Sequence, residues 1–161
     1  MTRPSGEPPD EWIGRLYDRY GVALYRYALM VLADPAAAAD AVHTIFVSLL
    51  RRRAPPDSEE QYLRRAVRNE CFSALRRRRR DALVDAAPIL DAVDPASDRP
   101  DERLVLEQAL RGLPAEQREV VHLKVFEGMT FQEIADMTDE SINTVASRYR
   151  YAIEKLRAQL T

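Results

Sequence analysis

The chain has 161 residues, 46% of them apolar and 31% charged, with 24 Lys or Arg against 26 Asp or Glu for a net charge of −2. That length holds one medium domain or two small ones and excludes a large multidomain enzyme. A near-neutral balance speaks against a nucleic-acid partner only if the charge is spread evenly, and it is not. Residues 51–80 carry 11 basic and 4 acidic groups, net +7, and residues 141–161 carry 4 and 1, net +3; residues 81–102 carry 1 and 7, net −6. Apart from Lys124 and Lys155 the basic residues are all arginine, whose planar fork suits phosphates and base edges. A GC-rich coding bias accounts for the arginine excess equally well, but not for its clustering. Cys71 is the single cysteine, so no disulfide framework exists. With only His43 and His122 beside it, no metal site is expected. No run approaches the ~20 apolar residues of a membrane span, and MTRPSGEPPDE lacks the apolar stretch of a secretory signal. A cytoplasmic location is expected.

Taken in chain order, almost every periodic segment reads as helix. Residues 1–9 read as a flexible N-terminus. Asp10 is a candidate cap for a helix from Glu11. Its stripe, Trp12, Leu16 and Tyr20, is expected to break or bend at Gly21 before resuming through Leu24, Tyr27, Ala28 and Val31. Asp34-Pro35 pairs a cap with a proline at the first helical position. The helix it opens runs to about Leu50, with Val42, Ile45, Phe46 and Leu49 at the spacing of a buried face. RRRAPPDS, residues 51–58, is a loop, and a long helix follows from about Glu59 to Arg80. Residues 81–99, acidic and proline-bearing, read as a flexible linker, with Leu83, Val84, Ile89 and Leu90 as its docking candidates. Helices are expected at 101–112 and 114–126, then a turn at Gly128, a short helix from Phe131 to Met137 and a turn at Thr138-Asp139-Glu140. Ser141 can cap a final helix to about Leu160. The fold class is all-α: a helical domain at 10–80 and another at 100–161, joined by the linker.

Two segments carry recognition chemistry. TFQEIADMTDESINTVASRYRYAIEKLR has helix-turn-helix proportions. Phe131, Ile134 and Ala135 form the first helix's inner side, and Ile142, Val145, Tyr149, Ala152 and Leu156 the second's. At ~100° per residue, Asn143, Ser147, Arg150 and Tyr151 point outward, flanked by Thr144 and Arg148. That is a polar, mildly basic face sized for a major groove; an ordinary solvated surface is the alternative. In the long helix, Leu63, Ala66, Val67, Cys71 and Ala74 form the inner stripe, with Arg65, Arg68, Asn69, Phe72 and Arg76 opposite. Cations suit a helix C-terminus, but five in a row, Arg76–Arg80, exceed what capping needs and suggest phosphate tracking. Asn and Arg beside an exposed aromatic could hold an unstacked base; packing against another helix is the commoner fate of a lone Phe. No catalytic nucleophile, metal cluster or phosphate loop is found, so neither an enzyme nor a cofactor is expected.

Both halves resemble one family, the bacterial extracytoplasmic-function (ECF) sigma factors of RNA polymerase. LYDRYGVALYRYALMVLADPAAAADAVHTIFVSLLRR looks like sigma region two, and YLRRAVRNECFSALRRRRR like its DNA-reading helix. LRGLPAEQREVVHLKVFEGMTFQEIADMTDESINTVASRYRYAIEKLR looks like sigma region four, with LP-x-x-x-R, EIA and TV-x-SR in register. The resemblance implies a non-catalytic initiation subunit that binds core polymerase and promoter DNA, with an anti-sigma factor as a further candidate partner. By this resemblance the β′ clamp helices meet the helix holding Asp40, Val42, His43 and Phe46. The minus-ten element is read and opened by Arg65, Arg68, Asn69, Arg76 and Arg77, with a flipped base held by the loop from about Arg53 to Gln61. Region four contacts the β flap and reads the minus-thirty-five element through Ser141, Asn143, Thr144, Ser147, Arg148 and Tyr151. The chain departs from the family at His43, Thr44, Tyr62, Ser73, Asp139 and Asn143, the last two standing where glycine is common. A helix-turn-helix regulator acting alone, or a module that binds polymerase without initiating, are the competing readings.

Overall fold

The structure, a computed structural model, describes residues 8–52, 56–84 and 102–161. It is all-α, with no strand among those residues. α1 spans Pro9–Leu32, α2 Pro35–Leu49 and α3 Glu59–Val84. In the second half come α4 (Glu102–Arg111), α5 (Ala115–Val121) running into a π-helical turn (His122–Phe126), α6 (Phe131–Thr138) and α7 (Ile142–Leu160). The tip of the 51–58 loop and most of the expected linker, with Ile89 and Leu90, lie outside the described residues.

Asp10 does not cap α1. Pro8 occupies the cap position, Pro9 starts the helix, and Asp10 and Glu11 sit in its first turn, where negative charge complements the helix dipole. Gly21 does not break the element, which is continuous to Leu32. A glycine there costs about 1 kcal/mol of helix propensity, and burial of the Trp12, Leu16, Leu24, Tyr27, Ala28 and Val31 stripe outweighs it. Asp34 caps α2 as expected, its carboxylate accepting from the N–H groups of Ala36 at 3.0 Å and Ala37 at 3.3 Å. α3 continues one turn past Arg80, into the segment read as linker.

α1, α2 and α3 pack on one another, and α4, α5 and α6 each pack on α7. The two halves also meet, α5 lying on α1 and α6 on α3. The apolar core runs through that junction, joining Leu63, Val67 and Cys71 to Val120, Leu123, Ile134 and Val145.

Arginines finish the end of α1. The last carbonyls of a helix lack intrahelical partners. Ala33, in the left-handed conformation at φ 54°, returns its N–H to Leu29 O at 2.8 Å. Arg118 of α5 donates to Met30 O at 2.8 Å and Val31 O at 2.6 Å. Arg78 of α3 donates to Leu32 O at 3.1 Å and pairs with Asp34 at 3.0 Å. One of the five terminal arginines is therefore a structural brace between α3, α1 and α2.

Candidate nucleic-acid interface

The helix-turn-helix is held by local chemistry that its sequence dictates. Thr130 and Glu133 form a reciprocal capping box at α6, both bonds at 3.1 Å, which satisfies two orphan donors. Bonding to Thr130 holds the exposed Glu133 carboxyl below its usual range. α6 ends at Asp139, left-handed at φ 53°. The backbone there needs a conformation that Asp tolerates better than most residues. Ser141 then caps α7, its Oγ accepting from Thr144 N at 3.1 Å. Phe131 meets Tyr149 edge-on at 5.4 Å, and Val145, fully buried, seats α7 on α6.

This seating leaves Ser141, Asn143, Arg150 and Tyr151 exposed and Thr144, Ser147 and Arg148 half-buried, all at the N-cap or on the first three turns of α7. Arg150 stacks over the Tyr151 ring at 5.2 Å, and Arg148 pairs with Glu140 at 3.3 Å. One inner-stripe residue is corrected: Ile142 is 44% exposed, because at the first helical position it lies ahead of the α6 contact. It joins the outward face.

The Arg helix is arranged differently from its expectation. Asn69, Arg76 and Arg77 face solvent. Arg77 pairs with Glu70 at 3.1 Å, and Arg76 donates to Ser73 Oγ at 3.4 Å. Arg65 is exposed but donates to Asp136 O of α6 at 3.3 Å. Arg68 lies across Phe72, 4.8 Å from its ring centre, and forms a fork on Glu119 of α5 at 2.9 and 3.4 Å. Phe72 is half-buried against the core, so packing, not base stacking, is its role in this arrangement.

Glu119 is fully buried. Burial pushes its carboxyl above the ordinary range, although Arg68 and the Tyr27 hydroxyl, which donates to it, pull it back. Burial and then the Glu119 charge push the Tyr27 hydroxyl well up. A second contact lies beside this one. The π-helical turn inserts an extra residue, with Glu127 N bonded to His122 O at 3.1 Å. This swings the Glu127 carboxylate back onto His122 Nε2, at 3.2 Å, and onto Arg64 of α3. Burial works to raise Glu127, but His122 and Arg64 outweigh it and hold the carboxyl low.

The α2 assignments divide. Asp40 and His43 are exposed, whereas Val42 and Phe46 are core residues. The latter two cannot touch a partner directly, because their i, i+3, i+4 spacing with Ile45 and Leu49 turns them inward. The outward face of α2 instead carries Asp40, His43, Thr44, Val47 and Leu50, with the exposed Tyr17 ring packed edge-on against Phe46 at 5.2 Å. Val47, Leu50 and Tyr17 were detectable as apolar residues off the buried stripe. Arg64, Arg78, Arg118, Glu119 and Glu127 were missed. Their signal was a polar stripe where an apolar one belongs: Arg118, Glu119 and His122 follow Ala115 at i+3, i+4 and i+7. Among the described residues, no group of His, Cys, Asp and Glu is arranged to hold a metal and no helix is long and apolar enough to cross a membrane.

A three-helix half bearing an arginine helix, joined to a half ending in a capped helix-turn-helix, defines a two-part, all-helical class of protein. Family models agree: Sigma-70 region 2 matches residues 16–81 and Sigma-70, region 4 matches residues 103–156. The ECF RNA polymerase sigma factor SigL of Mycobacterium tuberculosis is 30% identical over 99% of this chain and 96% of that protein. The RNA polymerase sigma-E factor of Streptomyces avermitilis is 32% identical over 86% and 79%. The sigma factor RpoE of Bartonella quintana, solved in complex with the anti-sigma factor NepR, superposes with a TM-score of 0.73 at 22% identity, over 91% of this chain and 95% of that one. The chain belongs to the ECF sigma factors of the sigma-70 family, transcription-initiation subunits of RNA polymerase.

Proposed function

We propose that this chain directs core RNA polymerase to promoters by reading two DNA elements, and that it helps open the duplex at one of them. The observation that carries the reading is the exposed start of α7. Asn143, Arg150 and Tyr151, with the half-buried Ser147 between them, project from a helix whose N-terminus is fixed by the Ser141 cap. Side-chain amide, hydroxyl and guanidinium groups there match the donor and acceptor pattern of a major groove, which assigns this face, with Ser141, Thr144 and Arg148, to the minus-thirty-five element. Asn69, Arg76 and Arg77, with Arg65 and Arg68, are assigned to the minus-ten element. Their guanidinium groups neutralise phosphates where the strands part, and capture of an unstacked base offsets a few kcal/mol of unpairing.

The outward face of α2, with Asp40, His43, Val47 and Leu50, is assigned to the β′ clamp helices, and region four to the β flap. The chain makes and breaks no bond; nucleotide chemistry belongs to the polymerase, in the cytoplasm. An anti-sigma partner is in keeping with the likeness to RpoE, which was solved with one. The first half runs through α3 to Val84 and the second starts with α4 at Glu102, with the acidic segment between them as a tether. Because each half is small, specificity arises when core enzyme fixes their spacing.

Run-off transcription with core polymerase on genomic promoter fragments tests the reading. A protein that binds core yet yields no transcript from any fragment refutes it. Within an active complex, Asn69→Ala is expected to reduce permanganate reactivity at the minus-ten element. Arg148→Ala is expected to weaken minus-thirty-five binding while leaving that reactivity intact once the complex has formed.

A further inference from the structure

Three neighbouring arginines of α3 end on the second half of the chain. Arg68 forks onto Glu119, Arg64 meets Glu127, and Arg65 donates to Asp136 O. Two of them, Arg65 and Arg68, belong to the set assigned above to minus-ten DNA. A carboxylate and a phosphate ask the same thing of a guanidinium, two oxygens for its two parallel N–H groups.

Glu119 sits in a costly place. A carboxylate removed from water must be paired to be tolerated, and the side chains bonded to it are Arg68 and Tyr27, both from the first half. The polar stripe of α5 that carries it gains its partners by lying on α1, within reach of Arg68 of α3. Asn69, Arg76 and Arg77 stay exposed, so the contact covers the start of the arginine row and leaves its end accessible.

We propose that region four is an intramolecular competitor for DNA, with Glu119 and Glu127 occupying the arginines of α3 that promoter phosphates would otherwise take. This rests on the reading of α3 as a DNA-contacting helix. Closure and full engagement of DNA by α3 are then mutually exclusive. Whatever holds the halves apart raises DNA affinity, and by linkage DNA favours the separated state by the same factor. The free protein keeps its strongest electrostatic surface partly masked without a second chain.

The full chain without polymerase tests this, with a fluorescent oligothymidylate of about 20 nucleotides as a sequence-neutral single strand. Glu119→Gln and Glu127→Gln keep shape and remove the competing charge. Together they are expected to tighten binding by about tenfold and to steepen the salt dependence by about 0.7 for each arginine released. Unchanged affinity and slope in both single variants and the double overturn the proposal. If the double variant does not fold, Glu127→Gln alone carries the same test, its carboxylate being less buried than that of Glu119.

A second measurement needs no charge variant. Dyes on cysteines introduced at the exposed Ala39 and Arg157 report the separation of the halves, the native Cys71 being buried. Added oligonucleotide is expected to lower energy transfer; transfer that stays constant at saturating oligonucleotide overturns the proposal. Transcription separates this idea from the one it rests on. Promoter-specific transcript with no gain in oligonucleotide affinity refutes the competitor and keeps the sigma reading, and a gain without transcript does the reverse.

Discussion

Truncating Arg118 to alanine should uncouple the two halves. The residue is 8% exposed, and its guanidinium donates to four carbonyls: Met30 O at 2.8 Å, Val31 O at 2.6 Å, Arg111 O at 3.4 Å, and Leu113 O. The first two belong to the first half and the last two to the second. A hydrogen bond from a charged group contributes about 1.5–3 kcal/mol. The sum overstates the effect, because burial makes the charge itself costly and lowers the Arg118 pKa. Truncation also leaves helix-end carbonyls without donors, at about 1–3 kcal/mol each, relieved in part by water entering the cleft that Arg118 lines. A loss of about 3–4 kcal/mol is expected. Arg118→Lys, which keeps the charge but not the fork, should lose roughly half of that. Two probes make the assay specific. Trp12, the chain's one tryptophan, is buried in the first half, so its fluorescence reports that half during urea unfolding, while far-UV circular dichroism reports both. Wild type should give coincident transitions. In Arg118→Ala the second half should melt first, and the Trp12 midpoint should also fall. A Trp12 midpoint equal to wild type, or a total loss under about 1 kcal/mol, would show that the bridge carries no coupling.

Three further outcomes follow from particular residues. Cys71 is fully buried and its thiol is pushed up to about 12, chiefly by burial and then by the Glu70 and Glu119 charges; it should resist an aromatic disulfide reagent until the protein unfolds, and rapid labelling of the native chain would contradict its place in the core. Asp139→Gly should raise the melting temperature, with a gain of up to about 1 kcal/mol, because the left-handed C-cap of α6 at φ 53° suits glycine; a fall would mean the carboxylate contributes more than the backbone costs. Glu119 and Glu127 should give opposite pH dependences. Glu119, held high by burial, imposes a cost above its folded pKa that is relieved as pH falls through that value toward the ordinary ~4.3. Glu127, held low by His122 and Arg64 against the effect of burial, contributes stability above ~4.3 that is lost as pH falls through its folded value. Glu119→Gln should therefore remove the rise in urea midpoint on mild acidification and Glu127→Gln should flatten the acid limb; midpoints running parallel to wild type would refute both assignments.

What was legible in the sequence was whatever local chemistry decides. Asp34-Pro35, Gly128, Ser141 and the stripes of α2 and α7 act within a turn or two of themselves, so spacing alone located them. Gly21 was misread because helix propensity is a weak local preference and the packed stripe of α1 overrides it. Val42 and Phe46 were placed on both a buried face and a partner surface; only packing could choose, and it chose the core. Residues whose partners lie far along the chain were silent for a different reason. Arg118 completes the LP-x-x-x-R pattern by bonding Leu113 O, a local contact, but its reach to Met30 and Val31 spans nearly ninety residues. Glu119 looks like any solvated glutamate until α5 lies on α1 and Arg68 of α3 reaches it. The charge map behaves the same way. A net of +7 on residues 51–80 suggests a surface free for phosphates. Yet Arg78 is committed to α1 and Asp34, and Arg64 and Arg68 to Glu127 and Glu119. Of the eight arginines on α3, at least three are spoken for inside the molecule. The positive field that reaches solvent in the closed arrangement is therefore weaker, and shifted toward Arg76–Arg80, compared with what the sequence count implies. A truncated chain lacking residues 102–161 would regain the missing part if its first half remains folded.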